Sequence, residues 1–161
     1  MNALMSTSPR VDLRGLIDAI AQASADDAMT NPLSPAQWEV VAPYLQPTVF
    51  PASHTVFSQG AQDRTLYLVE SGSLSVHYQD AQERIRLAIV GPGSILGEGA
   101  FFAHRARHAT VQAAAPGRLW CLTAMRFAEL SNRQPGVALA LVMAAGQVLA
   151  RRAVDSRRRV A

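Results

Sequence analysis

Cysteine and lysine are the residues that this 161-residue chain most clearly lacks. Cys121 is the single cysteine, which excludes an intramolecular disulfide framework and suits a reducing compartment. It lies in an apolar run, so we expect a buried structural thiol rather than a reactive one. All 15 basic residues are arginine, which we interpret as an effect of genome composition without mechanistic weight.

Long apolar runs and a secretory leader are also absent. No segment approaches the roughly 20 consecutive apolar residues of a membrane-spanning helix, so we expect no membrane insertion. The N-terminus lacks the basic-then-apolar order of a signal peptide, and we therefore expect a cytoplasmic protein. A hydrophobic content of 49% and a charged content of 17% are typical of a globular chain with one core.

Positive charge is concentrated at the C-terminal end. The formal net charge is +3, but five arginines and one aspartate between Arg151 and Ala161 contribute +4, so the other 150 residues carry −1. This distribution argues against a nucleic-acid surface spread over the folded body. We interpret the arginine clusters of the tail as a solvated helix end that complements the helix dipole.

Helical spacing of apolar residues is found at both ends of the chain. It predicts a helix over 11–28, a second helix that begins at Ser34 and Pro35, a short helix capped by Thr123, and a long helix from Val137 to about Ala153. The inner face of the second helix would carry Trp38, Val41 and Leu45.

Short apolar runs separated by glycine, proline and polar turns fill the middle of the chain, which is typical of antiparallel strands. The predicted strands are Thr48–Phe50, Thr55–Phe57, Leu66–Val69, Leu74–Tyr78, Ile85–Val90, His108–Ala114 and Leu119–Leu122. The sequence therefore predicts a mainly β protein with flanking helices (α+β). We expect a disordered start at 1–10 and a single domain over 11–161, with a β-roll at about 47–122 and C-terminal helices at about 123–155.

One segment combines small residues with two opposite charges. Gly97-Glu98-x-Ala100 interrupts the strand pattern, and Arg107-x-Ala109 follows ten residues after the glycine. Small residues let a ligand approach the backbone, while an arginine fork binds phosphate oxygens and a carboxylate accepts from a hydroxyl.

These residues resemble the phosphate-binding cassette of the cyclic-nucleotide-binding family. That family includes the catabolite-activator-like (Crp/Fnr-type) bacterial regulators and the regulatory subunits of protein kinase A. The stretch from Leu66 to Leu74 is similar to its strand-turn-strand, and Gly91-Pro92-Gly93 is similar to the turn before its cassette. The resemblance covers roughly residues 33 to 150 and implies a double-stranded β-helix, or jelly-roll-like β-roll, with N-terminal helices and a long C-terminal helix.

The resemblance also implies a role for each cassette residue. Glu98 would accept the ribose 2′-hydroxyl, and Arg107 would hold the cyclic phosphate of cyclic AMP or cyclic GMP. The backbone groups of Gly99 and Ala100 would contact the same phosphate and ribose. The ligand-binding set implied by the cassette is Gly97, Glu98, Gly99, Ala100, Arg107, His108 and Ala109.

Departures from the family pattern leave alternatives open. His108 stands where serine, threonine or alanine is usual, so its imidazole would either replace a hydroxyl donor or shrink the pocket. Glu98 and Arg107 could instead form a structural ion pair without a ligand. We expect no metal and no other cofactor, since His104 and His108 have no evident third ligand.

The function that follows is a cyclic-nucleotide sensor that signals by moving its C-terminal helix, and not an enzyme. One alternative is the sensor half of a Crp/Fnr-type transcription regulator, without a helix-turn-helix in this chain and therefore without direct specific DNA binding. Another is a ligand-free interaction module with a degenerate cassette. A cupin-type enzyme is not expected, because the sequence has no His-x-His pair.

Two kinds of protein partner are expected. One is a second copy of the chain, since the apolar stripe of Leu141, Ala145 and Val148 on the last helix would serve as a homodimer seam or as core. The other is a separate effector protein, whose identity the sequence does not specify.

Overall fold

Two short helices precede the sheet in the computed structural model, which describes residues 10–158 with the side chains of residues 86 and 156–158 left aside. α1 spans Arg14–Gln22 and α2 spans Pro35–Val41, followed by a 3-10 turn at Ala42–Tyr44. α2 begins as predicted, because the Ser34 hydroxyl accepts from the Gln37 N–H while the Gln37 side chain accepts from the Ser34 N–H. The segment expected to be disordered lies, apart from Arg10, outside the described residues.

Six antiparallel strands form one sheet that curls into a roll. The strands are β1 (Gln46–Phe50), β2 (Thr55–Phe57), β3 (Leu66–Gln79), β4 (Ile85–Val90), β5 (Ile95–Leu96) and β6 (Thr110–Leu122). The main path runs β1-β6-β3-β4, with β2 added to β6 and β5 added to β3. The predicted fold class, a β-roll between N-terminal helices and a long C-terminal helix, is confirmed.

Two long strands replace four of the predicted short ones. β3 continues through Gly72 and β6 continues through Gly117, and the two strands pair along most of their length. Their ladder shifts register between Val69 and Leu74. A Cβ built at Gly117 would lie 2.1 Å from the Ser71 carbonyl oxygen. Glycine therefore lets two bent strands cross here without a break, whereas the sequence pattern indicated separate strands with turns between them.

Two apolar clusters hold the roll and the helices together. One fills the roll, with Phe50, Leu74 and Leu119 fully buried. The other lies between the sheet and the helices and contains Trp38 and Trp120. The inner face predicted for α2 (Trp38, Val41, Leu45) is buried in this second cluster.

The last two helices pack on the second cluster. α4 spans Ala124–Arg133 and is capped by Thr123 as predicted, while α5 spans Pro135–Arg158 and begins two residues earlier than expected. The stripe favoured as a dimer seam is core instead: Leu141, Ala145 and Val148 are at most 1% exposed within a single copy. The apolar residues of α5 that point outward are Leu139, Met143 and Val154.

α5 is also unusually apolar for its length. Pro135–Asp155 is long and apolar enough to cross a membrane by length and composition alone, with a mean hydropathy of 1.6. Gln147, Arg151 and Arg152 interrupt the helix, so it contains no run of about 20 consecutive apolar residues, and the expectation of no membrane insertion stays a prediction. Of the apolar window, 33% is buried inside the structure.

Candidate functional site

The cassette segment folds as a glycine turn, one short helix and a loop that leads into β6. Gly97 lies before α3 (Glu98–Ala103) with a φ of 81°, and His104 ends that helix with a φ of 53°. A Cβ at Gly97 would lie 2.5 Å from Arg107 Nη1. Glycine is therefore required here both for the left-handed backbone and for the close approach of the arginine.

Arg107 is buried, with 2% of its surface exposed. Its Nε and Nη2 donate to the two carboxylate oxygens of Asp63. Nη2 also donates to the Thr65 carbonyl at 2.8 Å, and Nη1 donates to the Gly97 carbonyl at 3.1 Å. Four hydrogen bonds thus engage a guanidinium that has five N–H donors. One Nη1 donor remains for a further acceptor.

Two aromatic rings and a carboxylate stabilise this buried charge. The guanidinium carbon lies 4.2 Å from the centroid of the Phe57 ring and 5.7 Å from that of Tyr67, which allows cation–π attraction. The hydrogen bond from Arg107 lowers the pKa of the Asp63 carboxyl below its ordinary value. Asp63 is therefore ionised and offsets the positive charge of Arg107 at neutral pH.

Glu98 has a different partner from the one considered on sequence grounds. Its Oε1 accepts from Arg152 Nη1 of α5 at 2.7 Å, and its side chain is 12% exposed. The structural ion pair considered between Glu98 and Arg107 is not formed, because each of the two residues is paired with another one. The glutamate at the start of the cassette helix is instead attached to the C-terminal helix.

Arg152 joins four elements of the protein. Besides Glu98, its guanidinium donates to Asp27, to the Ser94 hydroxyl and to the Ile95 carbonyl, at 2.9 to 3.0 Å. Burial opposes its charge, but Glu98 and Asp27 more than offset this and raise the pKa of Arg152 above its ordinary value. The arginine therefore remains charged and holds α5 to the turn before the cassette.

The remaining residues of the predicted site lie around this framework. Gly99 faces open space, since a Cβ built there would meet no atom within 4 Å. Ala100 is buried and Ala109 is half-buried. His108 is exposed and lines a cavity of about 640 Å³ together with Arg107 and Tyr78. Its imidazole thus occupies the rim of that cavity and takes no space in the core.

Sequence reasoning missed two residues of the site, Asp63 and Asp27. It also missed that Arg152 is the partner of Glu98. Asp63 lies 44 residues before Arg107, and Arg152 lies 54 residues after Glu98. No local pattern links such distant positions. The one signal available was that Arg152 continues the buried face of α5 one turn beyond Val148, where a charged residue requires partners.

Comparisons with known proteins agree on one family. The family model described as "Cyclic nucleotide-binding domain" matches residues 47–134. The Cyclic AMP receptor protein of Thermus thermophilus is 32% identical over 108 residues, which are 66% of this chain and 50% of that protein. The chain thus spans about half the length of this curated relative.

Two solved structures are similar in fold. A cyclic nucleotide-binding domain from Methylobacillus flagellatus KT has a TM-score of 0.79 at 20% identity, covers 91% of this chain and 80% of that chain, and shows the fold alone. The Catabolite Activator Protein of Thermus thermophilus has a TM-score of 0.69 at 27% identity, and covers 81% of this chain and 62% of that chain.

The contact between Asp63 and Arg107 gives a prediction about stability and pH. Asp63→Asn should lower the free energy of unfolding at pH 7 by about 1–2 kcal/mol, because it leaves a buried charge without its anion, and the half-exposed carboxylate keeps the loss below that of a fully buried pair. Folding lowers the pKa of Asp63, so the stabilisation by its contact with Arg107 is fully present above pH about 4. It is lost as the pH falls through the pKa that Asp63 has in the folded protein. The difference between wild type and variant should therefore shrink in acid.

Urea unfolding at a series of pH values measures this difference. Asp18→Asn, at an exposed carboxylate on α1, is the matched control and should change stability by less than about 0.5 kcal/mol. Equal unfolding free energies for wild type and Asp63→Asn at pH 7 would contradict the assignment.

Proposed function

Since the chain belongs to the cyclic nucleotide-binding domain family, we propose that it is a sensor that binds a 3′,5′-cyclic purine mononucleotide and signals through α5. The domain of this family is usually non-catalytic, and we assign it a binding role. The observation that carries the proposal is the buried guanidinium of Arg107, held in place by Asp63 and the Gly97 carbonyl beside a cassette helix that begins with Glu98.

The geometry supports a phosphate on Arg107. Three of its four hydrogen bonds go to Asp63 and Gly97, so these contacts orient the fork without a ligand. One N–H remains for a phosphate oxygen. The backbone N–H groups of Gly99 and Ala100 lie in the first turn of α3, where they have no acceptor within the helix. Gly99 faces open space, which permits close approach of a ligand.

The position of His108 favours a working cassette over a degenerate one. Because the imidazole is exposed on the rim of a cavity that Arg107 also lines, its bulk does not fill the space beside the arginine. An imidazole at this rim can donate a hydrogen bond where the family usually has a hydroxyl. The ligand-free module therefore has less support than the sensor.

Titration with cyclic AMP and with cyclic GMP tests this proposal. We expect one binding event per chain for at least one nucleotide. Arg107→Ala should weaken it by at least about 30-fold, because hydrogen bonds to a charged group contribute about 1.5–3 kcal/mol each. Isothermal calorimetry measures both, and circular dichroism verifies that the variant is folded.

The matched control for this titration is Arg133→Ala, at an exposed arginine in the last turn of α4, which should bind like wild type. If neither nucleotide releases heat or raises the melting temperature of the wild-type protein, the sensor proposal is wrong.

The signalling step is proposed to pass through Glu98. The side chain of Glu98 is only 12% exposed while Arg152 donates to its Oε1, so a ribose hydroxyl would compete with Arg152 for this carboxylate. Nucleotide binding would thus exchange the contact with α5 for a contact with the ribose. The position of the C-terminal half of α5 then depends on which partner Glu98 has, as in a two-state population shift.

Removing the competitor should strengthen binding. We expect Arg152→Ala to lower the Kd for the nucleotide by about fivefold or more, since the protein no longer has to break the contacts of Arg152 first. Arg151→Ala is the matched control, because Arg151 is exposed on the same turn and, among the residues that the structure describes, donates only to the Ala28 carbonyl. Calorimetry on both variants measures the two Kd values. Weaker binding by Arg152→Ala would show that Arg152 stabilises the nucleotide-bound protein and does not compete with the ligand.

A homodimer through α5 is proposed on the outward face of that helix. Leu139, Met143 and Val154 are 62%, 58% and 49% exposed, and Ala150 lies between the last two on the same face. Their spacings of four, seven and four residues keep them on one face of the helix, which is suited to packing against a second helix.

Light scattering after size exclusion should give about twice the 17.3 kDa chain mass for wild type and the chain mass for Met143→Asp. Met125→Asp, at a 74% exposed methionine on α4, should remain dimeric. A monomeric wild type at tens of micromolar would contradict the dimer.

A second candidate function is the sensor part of a Crp-like transcription regulator. The observation that favours it is the match over half the length of the Thermus thermophilus Cyclic AMP receptor protein. The size of the native protein in its source cells separates the two candidates, since immunoblotting should show 17.3 kDa for a separate sensor and a larger band for a regulator.

A further inference from the structure

A second cavity lies on another side of the cassette helix. It has a volume of about 430 Å³ and lies where α3, α4 and α5 meet. Three of its lining residues are Phe101, Phe102 and Phe127, whose rings contact edge to face with centroids 5.4 and 5.2 Å apart. Leu139 and Val142 of α5 line the opposite side. This size and apolar lining are typical of small-molecule sites.

The polar groups of this cavity include one cation without an anion. Arg64 Nη2 donates to the Phe101 carbonyl at 3.1 Å and lies 2.9 Å from His104 Nε2. Arginine can only donate, so His104 Nε2 accepts and the imidazole proton is on Nδ1. Within residues 10–158, Arg64 makes no ion pair and its buried Nε has no hydrogen-bond partner.

A buried donor without an acceptor is costly, and a charged one more so. Arg64 Nη1 has no hydrogen-bond acceptor among the described residues, so an anionic oxygen placed on it would satisfy a donor and neutralise the guanidinium. One guanidinium with a neutral imidazole matches the single charge of a carboxylate better than the near-double charge of a phosphate ester. The phenylalanine and aliphatic walls match an apolar body attached to that carboxylate.

We propose that this cavity binds a small amphipathic monocarboxylate, with its carboxylate on Arg64 and its apolar body between the phenylalanines of α3 and α4 and the aliphatic side chains of α5. The site is separate from the cassette residues Glu98 and Arg107, neither of which lines it. It shares α3 and α5 with the cassette, however, and its ligand would contact α3 and the N-terminal half of α5 together.

Decanoate is the probe, and 1-decanol is its uncharged counterpart of equal chain length. Titrated without nucleotide and below its micelle concentration, decanoate should bind wild type with one site per chain and at least tenfold more tightly than 1-decanol. Arg64→Gln should reduce decanoate affinity at least tenfold and leave that of 1-decanol unchanged. Arg133→Gln, outside the cavity on α4, should bind both as wild type does.

A variant that fills the cavity provides a second measurement. Val142→Phe, at a half-buried lining position, should abolish binding of both probes while its circular dichroism stays that of a folded protein. Equal affinity for decanoate and 1-decanol, or full decanoate affinity in Arg64→Gln, would overturn the proposal.

One consequence rests on the proposed function. A ligand in this cavity stabilises the observed packing of α3 against α5, which is the arrangement in which Arg152 donates to Glu98. Saturating decanoate should therefore weaken cyclic-nucleotide binding about fivefold or more, and the nucleotide should weaken decanoate binding by the same factor. If no nucleotide binds at all, the sensor proposal is wrong, but the decanoate titration without nucleotide still tests the proposed monocarboxylate site.

Discussion

The positive charge of Arg107 is the constraint that organises the centre of this domain. A guanidinium with 2% of its surface exposed must have its donors satisfied, and Asp63, Thr65 and Gly97 supply the acceptors. These contacts fasten the turn before β3 and the start of the cassette helix to the residue that leads into β6. The glycine at the head of that helix has a left-handed backbone and no side chain because the arginine lies against it. The shape of the cassette is therefore set by one buried cation.

A second arginine, Arg152, contacts the same end of the cassette helix through Glu98, and the two arginines differ in how they are anchored. Arg107 is anchored to its own roll through a carboxylate and two backbone carbonyls. Arg152 reaches the roll from a separate helix, and its side chain is 23% exposed, so solvent can take over its donors when it leaves. Its contacts with Glu98 and Asp27 are therefore cheaper to exchange than those of Arg107.

The parts of this structure that sequence predicts are those decided by neighbouring residues. Ser34 with Gln37 and Thr123 with the Arg126 N–H are caps that span three positions, and both helices begin where the pattern indicates. Two ion pairs depend on how distant segments fold together: Asp63 with Arg107, and Arg152 with Glu98. The local periodicity of the sequence therefore cannot predict them. The breaks predicted before Leu74 and before Leu119 are wrong for the same reason: a glycine occurs equally well at a turn and at a close crossing of two strands, and only the partner strand decides between them.

The apolar residues of α5 could pack in the core, form a dimer contact or cross a membrane, and the contacts of the helix bear on each of these explanations. Leu141, Ala145 and Val148 are buried in the core, which accounts for one face of the helix, while Leu139, Met143 and Val154 account for a second, exposed face. The N-terminal half of α5 is held by α4 and by that core, whereas its C-terminal half has polar attachments through Arg152 and Arg151. In the proposed function, a nucleotide at Glu98 would act on this C-terminal half. A carboxylate bound between α3, α4 and α5 would contact the N-terminal half of α5 and stabilise its packing against α3. Because Arg152 donates to Glu98 in this packing, the two proposed ligands should oppose each other.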